Sequence, residues 1–193
     1  ALKANAPDLG ANPEMLAFVQ NYTDMGFLSI ILFLFIGAIL TMIVQASAAT
    51  MAITLIMCAN GWIDYHLGVA LVLGENIGTT ITANLAALTG NTQSRRAALA
   101  HLVFNIFGVM WVLVLFYPFT AAVSWFVTDV MNISDPAVAV SFKLAAFHTA
   151  FNISNTFIMI WFVGLIEKTV CFLIKGKKDE DEEYRLRYIT GGM

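Results

Sequence analysis

The chain is 193 residues long, 59% hydrophobic and 12% charged, with a formal net charge of −3. Soluble domains average about 45–50% apolar and about 25% charged residues, so this composition excludes a water-soluble globular fold. No basic stretch suits nucleic acid. Asp, Glu, Lys and Arg are absent from residues 25–63, 76–94, 97–128 and 144–166, and each window accommodates at least one membrane segment of about 20 residues. The sequence reads as an all-α polytopic membrane protein. Cys58 and Cys171 are isolated in apolar surroundings and read as buried free thiols.

Residues 1–26 are mixed, with Pro7, Gly10 and Pro13 as interruptions. They read as an interfacial segment in which 13–22 forms a short helix capped by Asn12. Residues 27–44 are almost wholly apolar and would extend about 27 Å as a helix, barely a span. The small polar stretch Gln45-Ala46-Ser47-Ala48-Ala49-Thr50 follows, then a second apolar run to Ala59. Two short arms around a polar tip predict a re-entrant hairpin; the alternative is one long tilted helix. Asn60, Gly61 and Asp64 close the unit with turn chemistry.

Residues 65–89 carry the most unusual stretch, from Gly74 to Asn84. It holds two glycines, two amides, three threonines and Glu75 inside an apolar region. Irregular backbone at membrane depth is tolerated only against protein or a wet cavity. We expect two half-helices of about 14 and 16 Å meeting at a polar break near the midplane, as in transporters with discontinuous helices. The alternative is a kinked helix with small-residue packing. After a polar link at 90–93, Ser94 would cap a helix from Arg95 to about Tyr117, stopped by Pro118. Residues 119–135 fit an interfacial loop or short helix. Asp135-Pro136 opens a last helix over 137–174, about 57 Å long and therefore bent, near Gly164 or Asn152–Asn155.

Arg95 and Arg96 at one span end, and Lys168, Lys175, Lys177 and Lys178 at another, fall on one side if 95–117 and 137–166 are successive spans. That side should be cytoplasmic. Residues 175–193 alternate charge blocks and read as a solvated cytoplasmic tail leading towards a further domain. The chain starts at Ala1 without an initiator Met, and 184–193 resembles the opening of another segment. The expectation is an excerpt of a longer polypeptide, with 27–174 as its membrane repeat.

His101-Leu-Val-Phe104-Asn105 is echoed by His148-Thr-Ala-Phe151-Asn152. His and Asn four apart share a helix face, and polar faces in membranes point inward. They serve either as hydrogen-bonding supports between helices or as ligands. A metal site of Glu75, His101 and His148 is open on ligand type alone.

Taken in order, Gln45-Ala-Ser47-Ala-Ala-Thr50, then Leu73-Gly74-Glu-Asn76-Ile77-Gly78-Thr79-Thr80, then His101-x-x-Phe104-Asn105 resemble the type II sodium/phosphate cotransporter family, in its bacterial branch. The second His-x-x-Phe-Asn and the charged tail resemble its C-terminal repeat. That resemblance implies two inverted repeats, each with a serine-rich and an Asn-Ile-Gly-Thr motif, and hence half of a sodium-coupled transporter of inorganic phosphate. It also implies that the chain is not an enzyme and needs no cofactor beyond Na+ as coupling ion. The implied binding residues are Gln45, Ser47, Thr50, Glu75, Asn76, Gly78, Thr79 and Thr80, supported by His101, Asn105, His148 and Asn152. Na+ would be held by Gln45, Ser47, Asn76 and Thr79, with freed carbonyls around Gly74–Gly78. With no Lys or Arg near the midplane, the anion would rely on helix N-termini, hydroxyls and co-bound sodium. Two departures stand out: Ala46 and Ala48 replace two hydroxyls, and Glu75 replaces a small neutral residue, at about 3 kcal/mol on insertion scales. The implied partners are the lipid bilayer of a bacterial inner membrane and a second repeat, supplied by an N-terminal half or a homodimer mate. The remaining alternatives are a carrier of another oxyanion or dicarboxylate, a non-transporting sensor of the same fold, and an intramembrane enzyme using Glu75 with a histidine.

Overall fold

The computed structural model describes Thr23 and residues 25–176. The interfacial helix expected at 13–22 and the charged tail from 177 onward lie outside the described residues. Within them the chain forms α1 (Phe27–Val44), α2 (Ser47–Ala59), α3 (Tyr65–Ala87), α4 (Thr92–Val114), α5 (Phe116–Trp125), α6 (Pro136–Met159) and α7 (Val163–Leu173). A π-helical turn, Phe126–Val130, follows α5, and a 3-10 turn, Ile160–Phe162, joins α6 to α7. No strand occurs among the described residues. Three helical stretches, Phe27–Val44, Thr92–Val114 and Pro136–Leu173, are long and apolar enough to cross a membrane. Large apolar side chains such as Phe35, Ile43, Val114 and Trp161 point outward, as a lipid-facing surface requires.

The helical hairpin forms where the polar tip was read. Gln45 adopts a left-handed conformation (φ 55°), its N–H donating to Thr41 O over 2.8 Å to close α1. Extended Ala46 then starts α2. The two arms are separate helices, so one long tilted helix is ruled out. Their directions follow from the pairs they make. Leu34 meets Gly74 and Ala38 meets Gly78, so α1 runs along α3 in the same sense. Thr54 meets Glu75 and Cys58 meets Gly68, so α2 runs against it. Asp64 caps α3 by accepting from Leu67 N at 2.8 Å, and Gly61 (φ 70°) makes the preceding turn.

The break expected at Gly74–Asn84 is absent, because α3 runs as one helix of 23 residues. Two local causes explain the correction. The polar side chains are satisfied on their own helix: Asn76 Nδ2 donates to Val72 O at 2.9 Å, Thr79 Oγ1 to Glu75 O at 2.8 Å, and Thr80 Oγ1 to Ile77 O at 2.7 Å. Such back-bonding to carbonyls three or four residues earlier needs no unwinding. The glycines, meanwhile, serve a neighbour. A Cβ on Gly74 would overlap Leu34 O, one on Gly78 would stand 2.5 Å from Ala38 O, and one on Gly37 of α1 would overlap Leu71 O. Gly74-x-x-x-Gly78 is thus a small-residue groove that brings two membrane helices into backbone contact. The carbonyls expected to be freed for sodium stay inside the helix.

From Val69 to Leu73 every side chain of α3 is at most 2% exposed. A helix buried all round is the centre of its bundle, and α3 packs on α1, α2, α4 and α6. α4 begins three residues earlier than expected, at Thr92, because Asn91 takes the cap from Ser94. It ends at Val114, short of Tyr117, and Pro118 falls in the first turn of α5, where its missing N–H costs nothing. The last helix opens on the Asp135 cap with Pro136 behind it, as read. Its irregularity lies at Ile160–Phe162, just ahead of Gly164.

The α1–α3 contact yields a sharp expectation. Gly74→Val should destabilise the protein by about 1–3 kcal/mol or more, read as a lower melting temperature in detergent. Gly164→Ala, with nothing within 4 Å of its added Cβ, should leave that temperature unchanged. Equal losses would show that the groove is not what holds these helices.

Candidate functional site: a polar pocket at the start of α2

Ending α1 at Gln45 places the first turn of α2, with Ser47 and Ala48 exposed, at the mouth of a pocket in the bundle. Its Ser47, Ala48 and Met51 line a cavity of about 320 Å³. The opposite walls are Glu75, Asn76 and Thr79 of α3, His101, Phe104 and Asn105 of α4, and His148 and Asn152 of α6. At 1.5 Å per residue, His101 lies about 14 Å from the start of α4 and His148 about 18 Å from the start of α6, so the cavity sits near mid-depth. Its volume equals that of about ten waters. That is generous for a bare ion and suits a small anion together with cations or water.

The electrostatic character of the pocket comes from two sources. The first turn of any helix carries N–H groups without intrahelical partners and a partial positive charge. At α2 no side chain caps them, since the residue ahead is Ala46. The facing helices present oxygen. Asn76, Asn105 and Asn152 each give an amide hydrogen to the carbonyl four residues back, at 2.9, 3.1 and 2.8 Å. Each then keeps its Oδ1 as an acceptor for the cavity. Glu75 is only 5% exposed, and its Oε1 accepts from Thr54 Oγ1 at 2.8 Å. One end of the cavity thus offers donors to an anion, and its walls offer hard oxygen to a cation.

Of the expected binding residues, Ser47, Glu75, Asn76 and Thr79 meet here, with all four supporting residues, His101, Asn105, His148 and Asn152. Four others do not line the pocket. Gln45 is exposed at the hairpin tip. Thr50 is fully buried, bridging Thr41 Oγ1 at 3.3 Å and the carbonyl of Ser47 at 3.0 Å. Gly78 lies against Ala38, and Thr80 is buried on its own helix. Of the residues expected to hold sodium, Ser47, Asn76 and Thr79 line the pocket and Gln45 does not. Glu75, His101 and His148 share the cavity, yet no group of three or more His, Cys, Asp or Glu among the described residues is arranged to hold a metal ion.

Two contributors were not singled out from sequence. Thr54, one turn beyond Thr50 on the polar stripe of α2, holds the Glu75 carboxylate. Asn155, one turn beyond Asn152, is fully buried. It donates to Phe104 O at 3.0 Å and accepts from Trp111 Nε1 at 3.2 Å, tying α6 to α4 behind the pocket. A helical wheel of either segment would have shown both. His101 and His148 leave this bridging to Asn155.

The fold and pocket define an all-α, multi-pass membrane protein with a polar chamber at a helix break. The family model described as Na+/Pi-cotransporter matches residues 10–131, well over half of the chain, and the chain belongs to that family. The match includes α1 to α4 and stops short of α6, which brings His148 and Asn152. Among its relatives is YqeW of Bacillus subtilis (strain 168), whose name states no function. It is 35% identical over 144 residues, which are 75% of this chain and 44% of the relative. YjbB of Escherichia coli (strain K12), named as a candidate inorganic phosphate export protein, is 26% identical over 97% of this chain and 32% of its own length. The rat sodium-dependent phosphate transport protein 2B is 41% identical over 97 residues, 48% of this chain and 13% of the relative. The chain thus spans less than half the length of each. No solved structure matches it.

Thr54→Val, which keeps the shape and removes the donor to Glu75, should cost about 1–3 kcal/mol, measured as a fall in melting temperature. Thr54→Ser should retain most of the stability. A stable Thr54→Val would show that Glu75 is held by other means.

Proposed function

We propose that the chain is one repeat of a sodium-coupled transporter of inorganic phosphate, with the mid-depth pocket as its half of the transport site. The observation that carries the reading is the meeting, in one cavity, of an uncapped helix N-terminus with the oxygen walls of Glu75, Asn76 and Thr79. A phosphate oxygen would take hydrogen bonds from the N–H groups of Ser47 and Ala48 and from the Ser47 hydroxyl. Na+ would take the Oδ1 of Asn76, the hydroxyl oxygens of Ser47 and Thr79, and the field of the Glu75 carboxylate. Each ion lowers the electrostatic cost of the other, which is reciprocal coupling between binding events. With Ala46 and Ala48 in place of hydroxyls, the anion end depends on backbone donors more than on side chains.

The relatives' greater length and the single copy of the Gln45–Thr50 and Gly74–Thr80 motifs support a site completed by a second repeat, from elsewhere in a longer polypeptide or from a homodimer mate. Arg96 Nε donates to Ile174 O at 3.0 Å, so the basic start of α4 and the basic end of α7 share one end of the bundle. By the bias of basic residues that end faces the cytoplasm of a bacterial inner membrane.

Radiolabelled phosphate uptake by the full-length protein in proteoliposomes tests the reading: replacing sodium by choline should abolish it. Asn76→Ala and Thr79→Ala should each lower sodium-dependent uptake about tenfold at equal expression, the scale of one hydrogen bond to a charged group. Thr89→Ala, in the exposed turn after α3, should have no effect. Uptake indifferent to sodium would reject the coupling. Equal loss from Thr89→Ala would reassign the effect to folding.

A further inference from the structure

A second, larger cavity of about 1070 Å³ lies between α4 and α7. Among the described residues its outer end carries the cations Arg96 and Lys175, while the carboxylate of its lining, Glu167, stands about 9 Å before the end of α7. At its inner end stand His101 and Phe104, and these two residues also line the central pocket. One layer of side chains therefore separates the two spaces. From Arg96 to Phe104 is about 12 Å along α4. The residues between them on that stripe, Ala97 and Ala100, are small enough to leave the way open. His101 is exposed and Phe104 half-buried, so neither is locked into the core. The Arg96 bond to the Ile174 carbonyl pins the end of α7 and keeps the outer mouth in shape.

We propose that this cavity is an aqueous vestibule that draws anions in past Arg96 and Lys175 and delivers them to the central pocket through the His101–Phe104 partition. The identity of the delivered anion as phosphate rests on the function proposed above; the vestibule itself does not. A positively charged mouth raises the local concentration of an anion and its rate of entry, an effect that weakens with ionic strength. The partition then decides when the two spaces communicate.

The native thiol Cys171 lines the vestibule and is partly exposed, whereas Cys58 is buried elsewhere. It therefore reports on the cavity directly. The full-length protein in membrane vesicles, with Cys58 and thiols outside this chain replaced by Ser, is treated with anionic and cationic methanethiosulfonates of similar size. Cys171 should react with both and favour the anionic reagent about tenfold relative to a small free thiol. Arg96→Gln with Lys175→Gln should bring that preference close to one, while Arg96→Lys, which keeps the charge, should preserve it. An inert Cys171 would mean that lipid or protein fills the cavity. A preference unmoved by neutralisation would mean that the mouth exerts no field. Either result overturns the proposal. Delivery is read separately, from Ala48→Cys in the central pocket. Its reaction with the anionic reagent should slow about tenfold when Ala100→Phe fills the passage, and less with Ala100→Val. An unchanged rate would remove the vestibule from the route. Neither readout requires transport, so failure of sodium-driven uptake would sink the transport reading while leaving these outcomes to stand or fall alone.

Discussion

The backbone contact between α1 and α3 is the constraint on which the architecture rests. Gly37, Gly74 and Gly78 remove the side chains that would hold the helices apart, so carbonyls of one helix lie against glycines of the other. Between membrane helices there is little hydrophobic driving force, and close packing of small residues supplies the attraction. Once α1 lies on α3 in this register, the chain turns at Gln45 beside the second half of α3. The start of α2 is thereby presented to the middle of α3. The pocket follows from the contact.

That arrangement also explains how a carboxylate is tolerated at depth. Glu75 occupies the α3 turn next to the glycine groove, with Thr54 of α2 donating to it and the polar pocket on its open side. Three asparagines and the threonines of α3 are each anchored to their own helix. Their remaining acceptor sites are held in place rather than free to rotate, and among the described residues no buried side-chain polar atom lacks a partner. Gln45 and Ala46 supply the irregular backbone beside the pocket.

A good part of the site was legible before any coordinates. The His-x-x-x-Asn spacing on α4 and α6 puts both side chains on one face whatever the tertiary structure, and polar faces in membranes turn inward. Ser47, Asn76 and Thr79 followed from the ordered motifs. The misreading of α3 came from treating Gly74 and Gly78 as breakers, when a glycine pair four apart equally signals a contact groove. Nothing local separates the two meanings. Only the presence of Gly37, Leu34 and Ala38 opposite does so, and that pairing spans nearly forty residues of sequence.

By itself the sequence determined the class, the hairpin tip at Gln45-Ala46, the turn at Asn60–Asp64, the helix start at Asp135-Pro136 and the shared His/Asn faces, because hydropathy, turn chemistry and helical periodicity act over a few residues. The tertiary structure alone decided that α3 stays whole, that Thr50 and Thr80 turn into packing while Thr54 and Asn155 take up polar work, and that two cavities share the wall of His101 and Phe104. Those outcomes depend on which helix lies against which, a choice made by shape at contacts far apart in the chain.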